Sequence, residues 1–307
     1  MPRVFVSRDL PFPALDRLRA EHQVDVWPER TPPPPDALLA HAQQADALLT
    51  TVTERVDGDL FDAAPSVRAV ANLAVGTDNI DLDAAKARGI PVGNTPDVLT
   101  DATADIAFAL LLAVARRIVE GEREVREGRW APWHPTHLLG GDLAGMTLGI
   151  VGWGRIGQAM ARRGEGFGMR IIHSSRSSGI PLDELLEQAD YVSIHTPLTP
   201  ETRHLIGAAE LKRMKKTAYL INTSRGGTVD QAALREALMA GEIAGAGLDV
   251  TEPEPLPPDD PLLTAPNLLV LPHVGSATVR TRSAMADLAV DNLLAALAGE
   301  EMPHRVA

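Results

Sequence analysis

The 307-residue sequence contains no cysteine, which excludes disulfides, thiolate metal sites and a cysteine nucleophile. No run of Lys and Arg forms a basic stripe. With 29 basic against 41 acidic residues the formal net charge is −12 at pH 7, and the basic stripe of a nucleic-acid-binding protein is missing. The longest apolar stretch, residues 106–115, is far too short to span a bilayer. The opening residues MPRVFVS lack the apolar core of a signal peptide. Nothing repeats at a short fixed period. A cytoplasmic protein with neither a nucleic-acid nor a membrane partner is expected. An acidic protein that handles an anionic substrate needs a local positive site against its own field, so each Arg that follows a strand is of interest.

What is present is the balance of a soluble globular chain, 45% hydrophobic and 23% charged, with length enough for two domains. Short β-branched runs at residues 3–7, 24–27, 45–51, 67–74 and 90–93 alternate with helical stretches at 14–21, 36–44 and 81–88. The run of prolines at 32–35 reads as a stiff surface connection. One long apolar helix is predicted over 99–119, then a polar loop over 128–141 containing Trp and Pro. A second series of strands follows at 148–151, 170–173, 191–195, 218–223, 246–250 and 268–271, and a last helix at 277–298. Such alternation predicts α/β architecture with parallel sheets covered on both faces. The expected fold is two doubly wound parallel-sheet domains, a Rossmann coenzyme domain (98–275) inserted into a flavodoxin-like substrate domain (1–97 and 276–307).

The segment LGIVGWGRIG, residues 148–157, places G-x-G-x-x-G between a strand and a helix. Gly152 permits the tight turn, Gly154 lets backbone approach a pyrophosphate, and Gly157 lets helix pack on strand. The helix N-terminus, with Arg155 and Ile156, then offers N–H groups and the positive dipole end to phosphate. An acidic residue closing the next strand would bind the adenosine 2′-hydroxyl. This chain has His173, Ser174, Ser175 and Arg176 there instead, with no carboxylate. Hydroxyls beside a guanidinium suit a 2′-phosphate, so NADPH is the expected cofactor and NADH the alternative. A polar loop with one solvated Arg is the plainer reading.

Reduction of a 2-keto acid needs a cation for the carboxylate and carbonyl, an acid for the developing alkoxide, and a group that keeps that acid charged. Three strand ends offer candidates: LINTSRGG with Arg225, GLDVTEPEP with Asp249 and Glu254, and LPHVGS with His273. Ligands of open α/β sheets gather at such carboxyl ends. A carboxylate beside an imidazole favours the charged ring, and a bidentate Arg fits a planar 2-keto acid better than Lys. No His and carboxylate spacing suggests a metal site.

These stretches, with GNTPDVLTDATAD at 93–105 and LPHVGSATVRTR at 271–282, resemble the D-2-hydroxyacid dehydrogenase family over nearly the whole chain. Within it the chain is most similar to the glyoxylate/hydroxypyruvate reductases. The resemblance implies that Arg225 binds substrate, Glu254 is the carboxylate partner, and His273 is the acid/base. It places Asp249 at the nicotinamide end and implies cofactor contacts from Thr103, Thr196, Pro197 and Thr223. It puts the substrate carboxylate on backbone N–H groups at Val75 and Gly76. It implies that Trp133 either reaches a neighbouring subunit's site or is buried at a homodimer contact. Glu252 reads as a turn residue, His195 as a wall of the cofactor site, and His134, His137 and His204 as loop histidines.

The implied reaction is NAD(P)H-dependent reduction of a small 2-keto acid, glyoxylate to glycolate and hydroxypyruvate to D-glycerate. The stretch Thr50 to Thr53 is small and uncharged, which disfavours a phosphorylated substrate. Alternatives are a dehydrogenase for phosphoglycerate or a branched 2-keto acid, and a dinucleotide-sensing binding protein. One departure from the family stands out. Only SSGIP, residues 177–181, lies where it usually has a helix and short strand. Either the adenosine side is pared down or residues are missing there.

Overall fold

The computed structural model describes residues 1–10 and 12–307. The chain divides into two compact units, Met1–Leu99 with Ala277–Ala307, and Thr100–Ser276. The boundaries expected from sequence lie within two residues of these.

In the first unit, strands β1 (Arg3–Val6), β2 (Gln23–Val26), β3 (Ala47–Thr50), β4 (Val70–Asn72) and β5 (Val92–Gly93) alternate with helices α1 (Ala14–Glu21), α2 (Pro35–Ala42), α3 (Gly58–Ala63) and α4 (Leu82–Ala87). The sheet order is β2-β1-β3-β4-β5 and every pairing is parallel, the flavodoxin-like order. Strands are shorter than the apolar runs: residues 67–69 and 73–74 lie outside β4. Helices α3 and α4 start where Asp57 and Asp81 accept from Leu60 N and Ala84 N, as carboxylate N-caps do.

The second unit opens on helices. In place of one helix over 99–119 there are two, α5 (Thr100–Ala115) and α6 (Ile118–Arg126), separated at Arg117 with φ 51°. Gly141 N donates to Ala115 O at 2.8 Å. A Cβ on Gly140 would lie 2.2 Å from that same oxygen. The returning loop therefore caps α5 through a glycine pair and turns the chain. Helix α5 is buried along much of its length, whereas α6 has no buried residue.

Strands β6 (Thr147–Val151), β7 (Arg170–Ser174), β8 (Tyr191–Ile194), β9 (Tyr219–Asn222), β10 (Gly245–Leu248) and β11 (Leu268–Val270) then follow. Helices α7 (Arg155–Gly166), α8 (Leu182–Gln188), α9 (Ala208–Arg213) and α10 (Gln231–Ala240) connect them. The six-stranded sheet has order β11-β10-β9-β8-β6-β7, all parallel. Against the common dinucleotide-binding order 3-2-1-4-5-6, β6 and β7 are strands one and two, and the third strand is absent. Ser175 N bonds Ser178 O at 2.9 Å and Ser174 pairs with Gly179. A tight turn thus closes the shortened stretch and leads directly to α8. The last helix, α11 (Val279–Ala298), is capped by Thr278 and Gly299. It belongs to the first unit, where Ala286, Ala289, Val290 and Leu293 pack with Val4, Val6, Ala47 and Leu49.

Candidate active site

The glycine turn begins where β6 ends. Gly152 has φ 98°, and a Cβ on it would lie 2.7 Å from the His195 carbonyl. Only glycine lets the chain turn this close to the end of β8. Gly154 is the N-cap of α7, with no side-chain hydrogen bond, so the opening turn of the helix keeps its N–H groups and dipole for an anion. Beside this turn the hydroxyl of Thr196 is buried without a hydrogen-bond partner, and so is that of Thr223 past the end of β9. Pro197 lies next to Thr196 and accepts from Thr202 Oγ1 at 2.6 Å. Buried hydroxyls rarely stay unpaired, so this strand edge fits a polar ligand such as a dinucleotide.

His195 contributes differently. Its Nε2 is 2.9 Å from Ser193 Oγ, and burial holds the imidazole down to about 4 from its usual 6.5. It is therefore neutral near pH 7, as a wall would be. Below pH 6.5 the unfolded chain takes up a proton that the folded chain refuses until about pH 4, so stability falls as pH drops across that window. The residue keeps some exposure, which discounts the loss to about 1–2 kcal/mol. Urea titrations at pH 7 and 4.5 should show wild type losing that much more than His195→Asn; equal losses would exclude it.

On the adenosine side the ring of His173 stacks on Trp153 of the glycine turn, with centroids 4.0 Å apart and planes at 17°. Gly179 has φ 93°, and a Cβ there would lie 2.0 Å from His173 O. Ser174, Ser175 and the exposed Arg176 stand on this tight turn. Arg176 is near enough to Glu201 to add to the lowering of its carboxyl pKa, which is due first to a hydrogen bond from Thr199.

The candidate residues Arg225, Glu254 and His273 are placed by backbone devices. The Asn222 side chain, 1% exposed, donates to Arg225 O and accepts from Ser224 N and Oγ. Thr228 Oγ1 donates to Arg225 O at 2.7 Å. A Cβ on Gly226 would fall 2.0 Å from Thr251 O, so glycine brings the Arg225 turn against the stretch carrying Glu254. Asn222 was not among the sequence candidates. Its signal was a polar side chain at the end of a buried strand, just before a Ser/Gly turn.

His273 has φ 53°, a backbone region few non-glycine residues occupy. Asp249 holds it there: its carbonyl accepts from His273 N at 2.9 Å, and its carboxylate accepts from Val274 N at 2.8 Å and Gly275 N at 2.7 Å. Burial pushes the Asp249 carboxyl up, and these backbone bonds only partly offset it. Thr103 of α5 lies against the same point, since a Cβ on Gly275 would be 3.3 Å from Thr103 Cγ2. His273 Nδ1 is 2.9 Å from Glu254 Oε2, so Nε2 lies outside that bond. Burial pulls the Glu254 carboxyl up, but the His273 hydrogen bond and charge, the Thr251 N–H and the Arg225 charge together hold it below its usual value. Glu252 points elsewhere, pairing with Arg203 at 3.0 Å.

Val75 and Gly76 follow β4 in the first unit. The stretch Thr50 to Thr53 in that unit is not as uncharged as its sequence reads. Arg8 Nη2 donates to Thr53 Oγ1 at 2.7 Å and Nη1 pairs with Glu54 at 2.9 Å. Glu54, 2% exposed, neutralises that cation, so the edge gains no net positive charge. Trp133 is 85% exposed in the single chain, with Trp130 nearby at 74%. Among the described residues no cluster could hold a metal ion, and no helix is long and apolar enough to cross a membrane.

Residues 108–275 match the family described as D-isomer specific 2-hydroxyacid dehydrogenase, NAD binding domain. The chain is 51% identical to a glyoxylate reductase of Korarchaeum cryptofilum, over 99% of this chain and 96% of that one. Its fold is similar to the TT0316 protein of Thermus thermophilus, with TM-score 0.95 and 51% identity over 99% of this chain and 100% of the other. It also matches the NADPH-dependent glyoxylate/hydroxypyruvate reductase of Sinorhizobium meliloti, solved with NADP and malonate, at TM-score 0.87 and 38% identity over 100% and 97% of the two chains. The chain belongs to the D-isomer specific 2-hydroxyacid dehydrogenase family.

Proposed function

We propose that this enzyme reduces glyoxylate to glycolate and hydroxypyruvate to D-glycerate, with NADPH preferred over NADH. The observation that carries the reading is the His273–Glu254 pair at 2.9 Å, with Arg225 close enough to act on Glu254. Arg225 binds the planar keto acid through its guanidinium fork and polarises the carbonyl. His273 protonates the carbonyl oxygen from Nε2 as negative charge develops on it. Glu254 orients the ring by accepting from Nδ1. Backbone N–H groups of the Val75–Gly76 loop take part in holding the substrate carboxylate. A bound nicotinamide supplies the hydride for the keto carbon. Its dinucleotide contacts come from the glycine turn Gly152–Gly157 with Arg155 and Ile156, and from Thr103, Thr196, Pro197, Thr223 and Asp249.

The preference for NADPH rests on Ser174, Ser175 and Arg176 standing where a carboxylate would serve NADH. The named relative from Sinorhizobium meliloti is NADPH-dependent, which supports the same reading. A homodimer is supported by the exposed Trp130 and Trp133 beside α6, whose Ile118 and Val125 are 54% and 56% exposed. Apolar surface of this kind suits association, and in the dimer Trp133 is covered.

A four-way assay tests the proposal, pairing NADPH or NADH with glyoxylate or hydroxypyruvate. No cofactor oxidation in any combination would sink the reductase reading. Equal or faster turnover with NADH would sink the phosphate site alone. Arg176→Ala should raise KM for NADPH about tenfold, the value of a charge-assisted hydrogen bond, and leave KM for NADH unchanged.

A further inference from the structure

Strand β4 ends on Asn72, whose side chain is 0% exposed. Its Nδ2 donates to Gly76 O at 2.9 Å and to Asn79 Oδ1 at 3.0 Å. Asn94, just past β5 and 9% exposed, donates from Nδ2 to Val75 O at 2.8 Å. Consecutive carbonyls of the loop are thus drawn inward by two separate amides. In a trans peptide the carbonyl of one residue points opposite the N–H of the next. Fixing the carbonyls of Val75 and Gly76 therefore turns the N–H groups of Gly76 and Thr77 the other way. Among the described residues neither N–H finds a backbone acceptor, and both residues are partly exposed.

Behind the amides stands a buried anion. Glu54 accepts from Ser7 Oγ at 2.6 Å, Thr51 N at 2.6 Å, Thr51 Oγ1 at 3.0 Å and Thr53 Oγ1 at 2.6 Å, besides pairing with Arg8 at 2.9 Å. A buried carboxylate with this many donors is satisfied and rigid. It pins the stretch 51–54, whose carbonyls at Thr51 and Glu54 accept from Asn79 Nδ2 at 2.8 and 2.9 Å. Asn79 in turn meets Asn72. The chain of bonds runs from the Arg8–Glu54 pair to the Gly76 carbonyl without leaving the first unit.

We propose that Asn72 and Asn94 are positioning residues for the substrate, aiming the N–H groups of Gly76 and Thr77 as a two-pronged seat for its carboxylate, with Glu54 and Asn79 bracing Asn72. This rests on the reading of the Val75–Gly76 loop as a carboxylate site, keeps the Gly76 N–H of that reading and assigns the second prong to Thr77 in place of Val75. The seat is made wholly of backbone, so it recognises the carboxylate common to all small 2-keto acids and leaves choice among them to other groups. It also gives a buried carboxylate in the first unit, distant in sequence from the reacting residues, a part in substrate affinity.

The test is steady-state kinetics with glyoxylate at saturating cofactor. Asn72→Leu and Asn94→Ser should each raise the glyoxylate KM about tenfold, the value of hydrogen bonds to a charged group. Cofactor KM should stay at the wild-type value and kcat should change by less than about threefold. A general loss of packing would move kcat and cofactor KM as well. Asn94→Ser is expected to fold even if Asn72→Leu does not, because only one bond to Val75 O is lost. Gly76→Pro, which deletes one prong, tests the underlying reading separately. If Gly76→Pro folds and leaves glyoxylate KM unchanged, the loop is not the carboxylate site. If Gly76→Pro raises KM while both amide variants keep wild-type KM, the positioning role is wrong although the site stands.

Discussion

His273→Asn is expected to lower kcat for glyoxylate reduction between about 10²- and 10⁴-fold, the range of a positioned general acid, while cofactor affinity stays near wild type. Asparagine is the informative replacement because the residue sits at φ 53°, a region Asn tolerates better than most. The clamp formed by Asp249 on Val274 N and Gly275 N then survives, and the loss reports proton transfer rather than a collapsed loop. Glu254→Gln should cost less, because the amide can still accept from Nδ1 although its charge is gone. The Glu254 carboxyl is held below its usual 4.5, so the acid limb of activity lies below that pH. Stopped-flow traces separate cofactor binding from turnover. Retained turnover in His273→Asn, or a lost cofactor complex, would show that the role is misassigned.

Much of this was legible in the chain because the relevant signals are local. The glycine spacing announces a strand–turn–helix whatever surrounds it. Arg225, Glu254 and His273 each follow a strand that reads as one from its apolar run. The break between α5 and α6 was not legible, since residues 99–119 are apolar enough to continue. What stops the helix is the distant pair Gly140–Gly141 closing on Ala115 O. Asn222, Asn72 and Asn94 were missed for a similar reason: a buried amide looks like any turn residue until its backbone partners are known. Arg8 was invisible beside Thr53 because the contact joins the ends of neighbouring strands, not neighbours in sequence. The absent third strand was flagged by length alone. Its consequence, a hairpin under a stacked Trp153–His173 pair, depended on the fold.

The glycine turn itself yields the second large effect, because its members fail for different reasons. A Cβ on Gly157 would lie 2.2 Å from Gly152 O and 3.0 Å from Ile150 Cγ2. The first contact is with backbone and cannot be relieved by a rotamer change, so α7 must lift from β6. Overpacking of this kind costs about 1–3 kcal/mol, which in a unit of this size lowers Tm by about 2–12 °C. The lifted helix also carries its N–H groups and dipole away from the pyrophosphate. Gly157→Ala should therefore lower Tm and weaken dinucleotide binding at least tenfold together. Gly154 differs: an added Cβ meets nothing within 4 Å, and its φ of −77° suits any residue. Gly154→Ala should leave Tm unchanged and weaken only the cofactor, whose phosphates need that open approach. Thermal melts with and without NADPH, and fluorescence titration of NADPH, read both quantities. Wild-type Tm and affinity in Gly157→Ala would mean that α7 does not owe its seat on β6 to the missing side chain. Wild-type affinity in Gly154→Ala would mean that the dinucleotide does not cross the turn at its second glycine.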